Sequence, residues 1–260
     1  RVPGYTVVEL IGGHGQSEVY LACDATGRRV AIKRWKLPSA RAQLELEALA
    51  SLRVPGVVRV LGSATDEELG LPCLIMEYVE APQLLAEGPR LPARAAAAVV
   101  RDVAQTLVEV HARDLVHRDV KPANILLRAN GSVVLVDFGV VKSSEDGLAG
   151  EEGSPPLTAT GAGPIGTLPY MAPEQLGLIE DPVGPQADVY GLGATLYECL
   201  SGVVPFETNG AFERRGRDVW RDPPAGAVID EVPRALRRIV SACLAFDPQA
   251  RPPGAGAVAE

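Results

Sequence analysis

The hydrophobic pattern of this 260-residue chain changes period once, near Pro92, and that change limits the folds open to it. Before it, β-forming residues come in short runs: Tyr5 to Leu10, Glu18 to Ala22, Arg29 to Trp35, Val57 to Leu61 and Leu71 to Val79. Turn chemistry such as Asp24-Ala25-Thr26-Gly27 separates them, which predicts strands and hairpins. One helix interrupts the strands. It opens after Pro38-Ser39, continues through Leu44, Leu46, Ala48, Leu49 and Leu52, and stops at Val54-Pro55-Gly56. From Pro92 onward the spacing is helical over Pro92 to Ala112, Asp188 to Ser201 and Pro233 to Ala245. Two short apolar runs, Ile125 to Leu127 and Val133 to Val136, lie between the first two of these helices. The expected class is α+β, a small five-stranded lobe with one main helix followed by a larger, mainly helical lobe.

Charge and cysteine usage narrow the function classes. A formal net charge of −8 repels nucleic-acid phosphates, so no nucleic-acid partner is expected. No apolar run approaches the ~20 residues that cross a bilayer, so no membrane contact is expected from this segment. Cys23, Cys73, Cys199 and Cys243 are scattered, without a CxxC pair or metal-ligand spacing. Reduced thiols in the cytoplasm follow as the expectation. The chain opens on Arg1 rather than Met and stops at Glu260 where a helix begins. It reads as a segment of a longer protein, whose other parts could include a membrane tether.

Phosphoryl transfer needs phosphates held, their charge neutralised by metal, and an acceptor hydroxyl placed beside a base. Val30-Ala31-Ile32-Lys33 ends a β-type run on a lysine whose ammonium can reach phosphate oxygens. Glu45 on the following helix is its natural partner, because Glu47 would lie roughly 200° further around. Further on, His117-Arg118-Asp119-Val120-Lys121-Pro122-Ala123-Asn124 precedes Asp137-Phe138-Gly139. Asp119 can accept the hydroxyl proton, and Lys121 can offset charge on the transferring group. Asn124 and Asp137 can ligate Mg²⁺ through oxygen. Each alone would read as a surface or turn residue; the order and spacing of the set argue for phosphoryl transfer. Ser143 to Gly163 is rich in Gly, Ser, Pro and acid, and a stretch of that kind inside a compact domain is functional or disordered.

Over essentially its whole length the sequence resembles the eukaryotic-like serine/threonine protein kinases of bacteria. Pro3-Gly4-Tyr5, Val30 to Lys33, Met76-Glu77-Tyr78-Val79, His117 to Asn124, Asp137 to Gly139 and Gly166 to Glu174 occur in family order. The resemblance implies the bilobal protein kinase fold, with an ATP-binding lobe over residues 1–79. A helical lobe over 80–260 would hold the catalytic loop and activation segment. It implies transfer of the ATP γ-phosphoryl group to Ser or Thr of proteins, this chain included, with Mg²⁺ or alternatively Mn²⁺. ATP contacts would come from Ile11, Gly12, Gly13 and His14 in the glycine-rich loop and from Val19, Ala31 and Leu126 around adenine. Met76 would be the gatekeeper, followed by backbone groups of Glu77 and Val79. Thr167 would steady Asp119 and Lys121, Glu174 would pair with Arg251, and Asp188 would hold the catalytic-loop backbone. Because Arg118 precedes Asp119, the family logic is activation by phosphorylation. Thr158 and Thr160 are the expected sites, modified in trans within a homodimer.

The glycine-rich loop departs from the family pattern. Aligned on Val19, GxGxxGxV falls on Gly12 to Val19, with only Gly12 matching; His14 and Ser17 take the other two glycine positions. A Cβ there restricts backbone approach to phosphates. The alternative function is therefore a pseudokinase or nucleotide-binding scaffold with weak transfer. Ala123 stands where some kinases carry a glutamate, so no preference for basic substrates is expected. His111 reads as a packing residue rather than a ligand.

Overall fold

The computed structural model describes residues 1–14, 17–37, 49, 52–138, 141–142, 168–206, 221, 228 and 230–260, with backbone alone for His14, Val141 and Lys142. The chain divides into two compact units, Arg1–Glu80 and Ala81–Glu260.

The first unit is built on a five-stranded sheet of order β1-β2-β3-β5-β4, every pair antiparallel. Its strands are β1 (Tyr5–His14), β2 (Ser17–Asp24), β3 (Arg29–Trp35), β4 (Val60–Thr65) and β5 (Pro72–Glu77). Side chains alternate across a strand, so cross-strand register decides which residues share a face. Val19 stands opposite Lys33 and Ala31 opposite Met76, which puts all four on one face. The other face carries Ala22, Val30, Ile32, Cys73 and Ile75, which with Val2 form an apolar cluster partly covered by Tyr5, Leu61 and Ala64.

Two edges differ from the sequence expectation. β1 continues past Leu10 to His14, with register shifts between Val7 and Glu9 and between Leu10 and Gly12. Each shift breaks the two-residue period, which leaves Val7, Val8, Leu10 and Ile11 exposed. β4 begins at Val60 rather than Val57. Val57 and Val58 are buried but precede the strand, and Val57 N–H closes a turn on the Val54 carbonyl. Beyond Val60 the pairing runs through the weakly apolar Gly62-Ser63-Ala64-Thr65, which an edge strand tolerates because its hydrogen bonds are made by backbone. Arg34 ties the sheet to the β4–β5 turn. Its guanidinium donates to Glu18 (2.8 Å), the Tyr20 hydroxyl (2.7 Å) and the buried Asp66 carboxylate (2.9 Å).

In the second unit α1 (Ala93–His111) buries Ala96, Val99, Val100, Val103, Leu107 and Val110, the 3-4 spacing of one helical face. α2 (Pro185–Ser201) is buried almost throughout. It starts at Pro185, three residues before the expected Asp188, because proline's fixed φ and missing N–H suit the first helical position. Gly202, at φ +80°, ends it by returning its N–H to the Glu198 carbonyl. α3 (Arg234–Cys243) and α4 (Ala255–Ala259) follow, and α2 packs on both α1 and α3. A hairpin of β7 (Ile125–Leu127) and β8 (Val133–Leu135) stands close to the sequence reading. β6 (Leu115–Val116) pairs with β9 (Val141–Lys142), a ladder too short to leave a periodic signal. No helix among the described residues is long and apolar enough to cross a membrane.

Candidate active site

β6 delivers the chain into His117–Asn124, and a short 3₁₀ turn over Pro122–Asn124 hands it on to β7. Asp188, in the first turn of α2, organises the entry. Its buried carboxylate accepts the N–H of His117 at 2.8 Å and the N–H of Arg118 at 2.7 Å. His111 is more than a packing residue: its Nε2 lies 2.8 Å from the same carboxylate. Arg118 has φ +66°, a left-handed conformation that L side chains adopt only when held there.

Asp119 follows, with its two oxygens in different circumstances. Oδ2 accepts from Lys121 Nζ at 2.8 Å and from Asn124 Nδ2 at 2.8 Å. Oδ1 is buried and receives no hydrogen bond among the described residues. Buried acceptors are ordinarily satisfied, so Oδ1, beside an Oδ2 that accepts twice, calls for a donor from beyond the described residues. Asn124 Nδ2 also donates to the Asp119 carbonyl at 2.8 Å, committing its amide nitrogen. The carbonyl oxygen is then the amide atom that can ligate a cation.

Asp137 lies two residues beyond β8 in a left-handed backbone at φ +55°, and Val136 N–H bonds the Asn124 carbonyl at 3.0 Å. Phe138 is fully buried, its ring centroid 4.3 Å from that of His117. His117 Nδ1 accepts the Asp119 N–H at 3.2 Å, so Nε2 holds the proton toward the Val136 carbonyl, also at 3.2 Å. Burial lowers this histidine's pKa below its ordinary value by penalising the imidazolium.

The structure brings Asp119, Lys121 and Asn124 into one hydrogen-bonded set and ties Asn124 to the strand end before Asp137. Two oxygen donors from protein are the complement Mg²⁺ takes when phosphates and water supply the rest. Asn124 and Asp137 match a divalent cation in donor chemistry and number. Glu174 and Arg251 form a buried two-bond pair at 2.6 and 2.8 Å. Arg251 also donates to the carbonyls of Ala245, Gln186 and Phe246, which satisfies the buried guanidinium.

In the first unit Lys33 is 7% exposed, and its Nζ lies 5.4 Å from the Trp35 ring centroid. Gly12 stands opposite Val19, and Gly13 opposite Glu18. A Cβ at Gly13 would come within 3.3 Å of the Glu18 Cα, so a side chain there asks the paired strand to give by a few tenths of an ångström. Met76 is buried and Glu77 half-buried at the end of β5, and Val79 follows it, half-buried. The Glu77 N–H is donated to the Arg59 carbonyl at 2.9 Å, so it is not the group that would meet a base. Leu126, half-buried on β7, belongs to the second unit. Glu45, Thr158, Thr160 and Thr167 lie outside the described residues, as does the side chain of His14.

Two contacts had no sequence signal. Tyr170 donates its hydroxyl to Glu198 at 2.5 Å, and desolvation raises the pKa of both groups. Gln175 bridges its own turn to the Arg118 carbonyl.

Comparison with known sequences supplies the class to which these elements belong. The chain belongs to the protein kinase domain family, whose model matches residues 5–259. Serine/threonine-protein kinase PknB of Mycobacterium tuberculosis is 36% identical over 95% of this chain and 40% of its own length. Serine/threonine-protein kinase PknL of the same species is 35% identical over 95% of this chain and 62% of its own. A probable serine/threonine-protein kinase of Streptomyces coelicolor, SCO3848, is 33% identical over 95% and 37%. The chain thus spans about 40% of the length of the first of these relatives. Family membership implies use of ATP with a divalent cation.

Proposed function

We propose that this domain is an active serine/threonine protein kinase that transfers the γ-phosphoryl group of ATP to proteins, including its own activation segment. The observation that carries the reading is the Asp119 carboxylate, aimed by Lys121 and Asn124 through Oδ2, with Oδ1 lacking a donor among the described residues. An acceptor hydroxyl would donate to Oδ1 and pass its proton there. Its oxygen bonds to the γ-phosphorus while the bond to the β–γ bridging oxygen breaks and ADP leaves. Lys121, already within reach of Asp119, offsets charge on the transferring group, and Lys33 with Glu45 orients the phosphates.

Asn124 and Asp137 would hold the cation, Mg²⁺ or alternatively Mn²⁺, which when bound neutralises phosphate charge. Residues 1–79 act as the ATP-binding lobe, with Ile11 to His14, Val19, Ala31, Met76 and the backbone of Glu77 and Val79 around the nucleotide. Residues 80–260 add Leu126 and the catalytic loop. Thr167 directs the acceptor, and Glu174, Asp188 and Arg251 hold the loop and the segment in place. Thr158 and Thr160 are phosphorylated in trans between two copies. ATP-dependent chemistry and free cysteines at positions 23, 73, 199 and 243 suit the cytoplasm.

Incubation with γ-labelled ATP and Mg²⁺, followed by phosphoamino-acid analysis, tests the reading. Label on serine and threonine, with Thr158 and Thr160 among the modified sites, is expected. Label confined to tyrosine, or absent while nucleotide is bound, would overturn it.

A further inference from the structure

Gln175 stands immediately after Ala172-Pro173-Glu174, half-buried, with an amide that faces two ways. Oε1 accepts the Ala172 N–H at 3.0 Å and closes the local turn. Nε2 donates to the Arg118 carbonyl at 2.7 Å, across 57 positions of sequence. That carbonyl belongs to the peptide group whose N–H is that of Asp119, and this N–H donates to His117 Nδ1. Both ends of the peptide leading into Asp119 are therefore held by side chains.

The backbone needs such holding because Arg118 sits at φ +66°. Asp188 fixes the entry to this residue through the N–H groups of His117 and Arg118. Gln175 fixes the carbonyl on its exit. Rotation of that peptide would turn the Asp119 Cα–Cβ bond and carry the carboxylate away from an acceptor hydroxyl. We infer that Gln175 is a positioning residue for phosphoryl transfer, locking the Arg118–Asp119 peptide to the segment that follows Tyr170. The inference rests on the kinase reading above and adds a residue to it.

Gln175→Glu separates this role from simple turn closure. It keeps the volume and the acceptor for Ala172 N–H, but sets an acceptor against the Arg118 carbonyl where a donor stood. Gln175→Met removes both bonds. On the full chain with ATP, Mg²⁺ and a protein substrate, both variants are expected to lose about 10- to 100-fold in kcat. The KM for ATP should stay within about two-fold, since nothing that faces nucleotide is touched. Amide exchange at Asp119 should accelerate about 10-fold, while exchange at Val103 and Leu107 in α1 stays unchanged.

Wild-type kcat and Asp119 exchange in Gln175→Glu would overturn the inference, because the Ala172 bond alone would then account for the residue. Exchange that rises equally in α1 would also overturn it, as a general loss of stability. If the wild type transfers no phosphate, the kinase reading fails separately. Asp119 exchange in Gln175→Glu still decides whether Gln175 holds the loop.

Discussion

His117 is held neutral by its surroundings. Its ring is fully buried, with Nδ1 accepting from Asp119 and Nε2 donating to Val136, which leaves no place for a second proton. Burial holds its pKa below the ordinary 6.5. Below that pH the unfolded chain binds a proton that the folded chain refuses. Stability is therefore lost as pH falls, by up to about 1.4 kcal/mol per unit, and this site adds no pH dependence above it. His117→Phe should be less stable at pH 7.5 by about 1–3 kcal/mol, because the Asp119 N–H and the Val136 carbonyl lose their partner. Denaturant melts at pH 7.5 and pH 5.5 should show that gap narrowing on the acid side. A gap independent of pH would mean the ring is not held neutral.

At the scale of elements, α2 carries the packing on which the site depends. A Cβ at Gly191 would stand 2.9 Å from the Val120 Cβ and carbonyl oxygen, inside the catalytic loop. A Cβ at Gly193 would stand 2.5 Å from the Cys243 Cβ, on α3. Both contacts are too close, so alanine at either position forces helices or loop apart at about 1–3 kcal/mol. The expected difference lies in function. Gly191→Ala should lower kcat beyond its effect on melting, whereas Gly193→Ala should lower melting temperature with kcat preserved at 20 °C. Equal losses of kcat in the two variants would show that Val120 has slack.

What the sequence made legible follows from how local each signal is. β3 could be read to its first residue, because the Asp24–Gly27 turn closes just before it. β4 could not, because an edge strand pairs through backbone, and the buried Val57 and Val58 lie just before it. The set from His117 to Asn124 was legible because one short loop contains it. Gln175 and His111 were not, since their partners lie 57 and 77 positions away and nothing in their own neighbourhoods foretells the meeting. Asp188 was assigned its role only through family resemblance; neither periodicity nor charge singles it out.

Over the whole molecule the chain forms two compact units, Arg1–Glu80 and Ala81–Glu260. The sheet of the first presents Lys33 on the face shared by Val19, Ala31 and Met76, opposite the face that packs the Ala22–Ile75 cluster. The second anchors its loop on α2, and the buried Glu174–Arg251 pair secures the segment that carries Gln175. The proposed proton acceptor is one carboxylate, that of Asp119. Single-turnover transfer from Mg²⁺-ATP to a serine/threonine protein substrate, wild type beside Asp119→Asn, tests it most directly. The substitution keeps shape and an acceptor for Lys121 but removes the proton-accepting carboxylate. The wild type should transfer, and Asp119→Asn should be at least about 10²-fold slower with nucleotide affinity unchanged. Equal rates, or two proteins equally inert while saturated with nucleotide, would contradict the account.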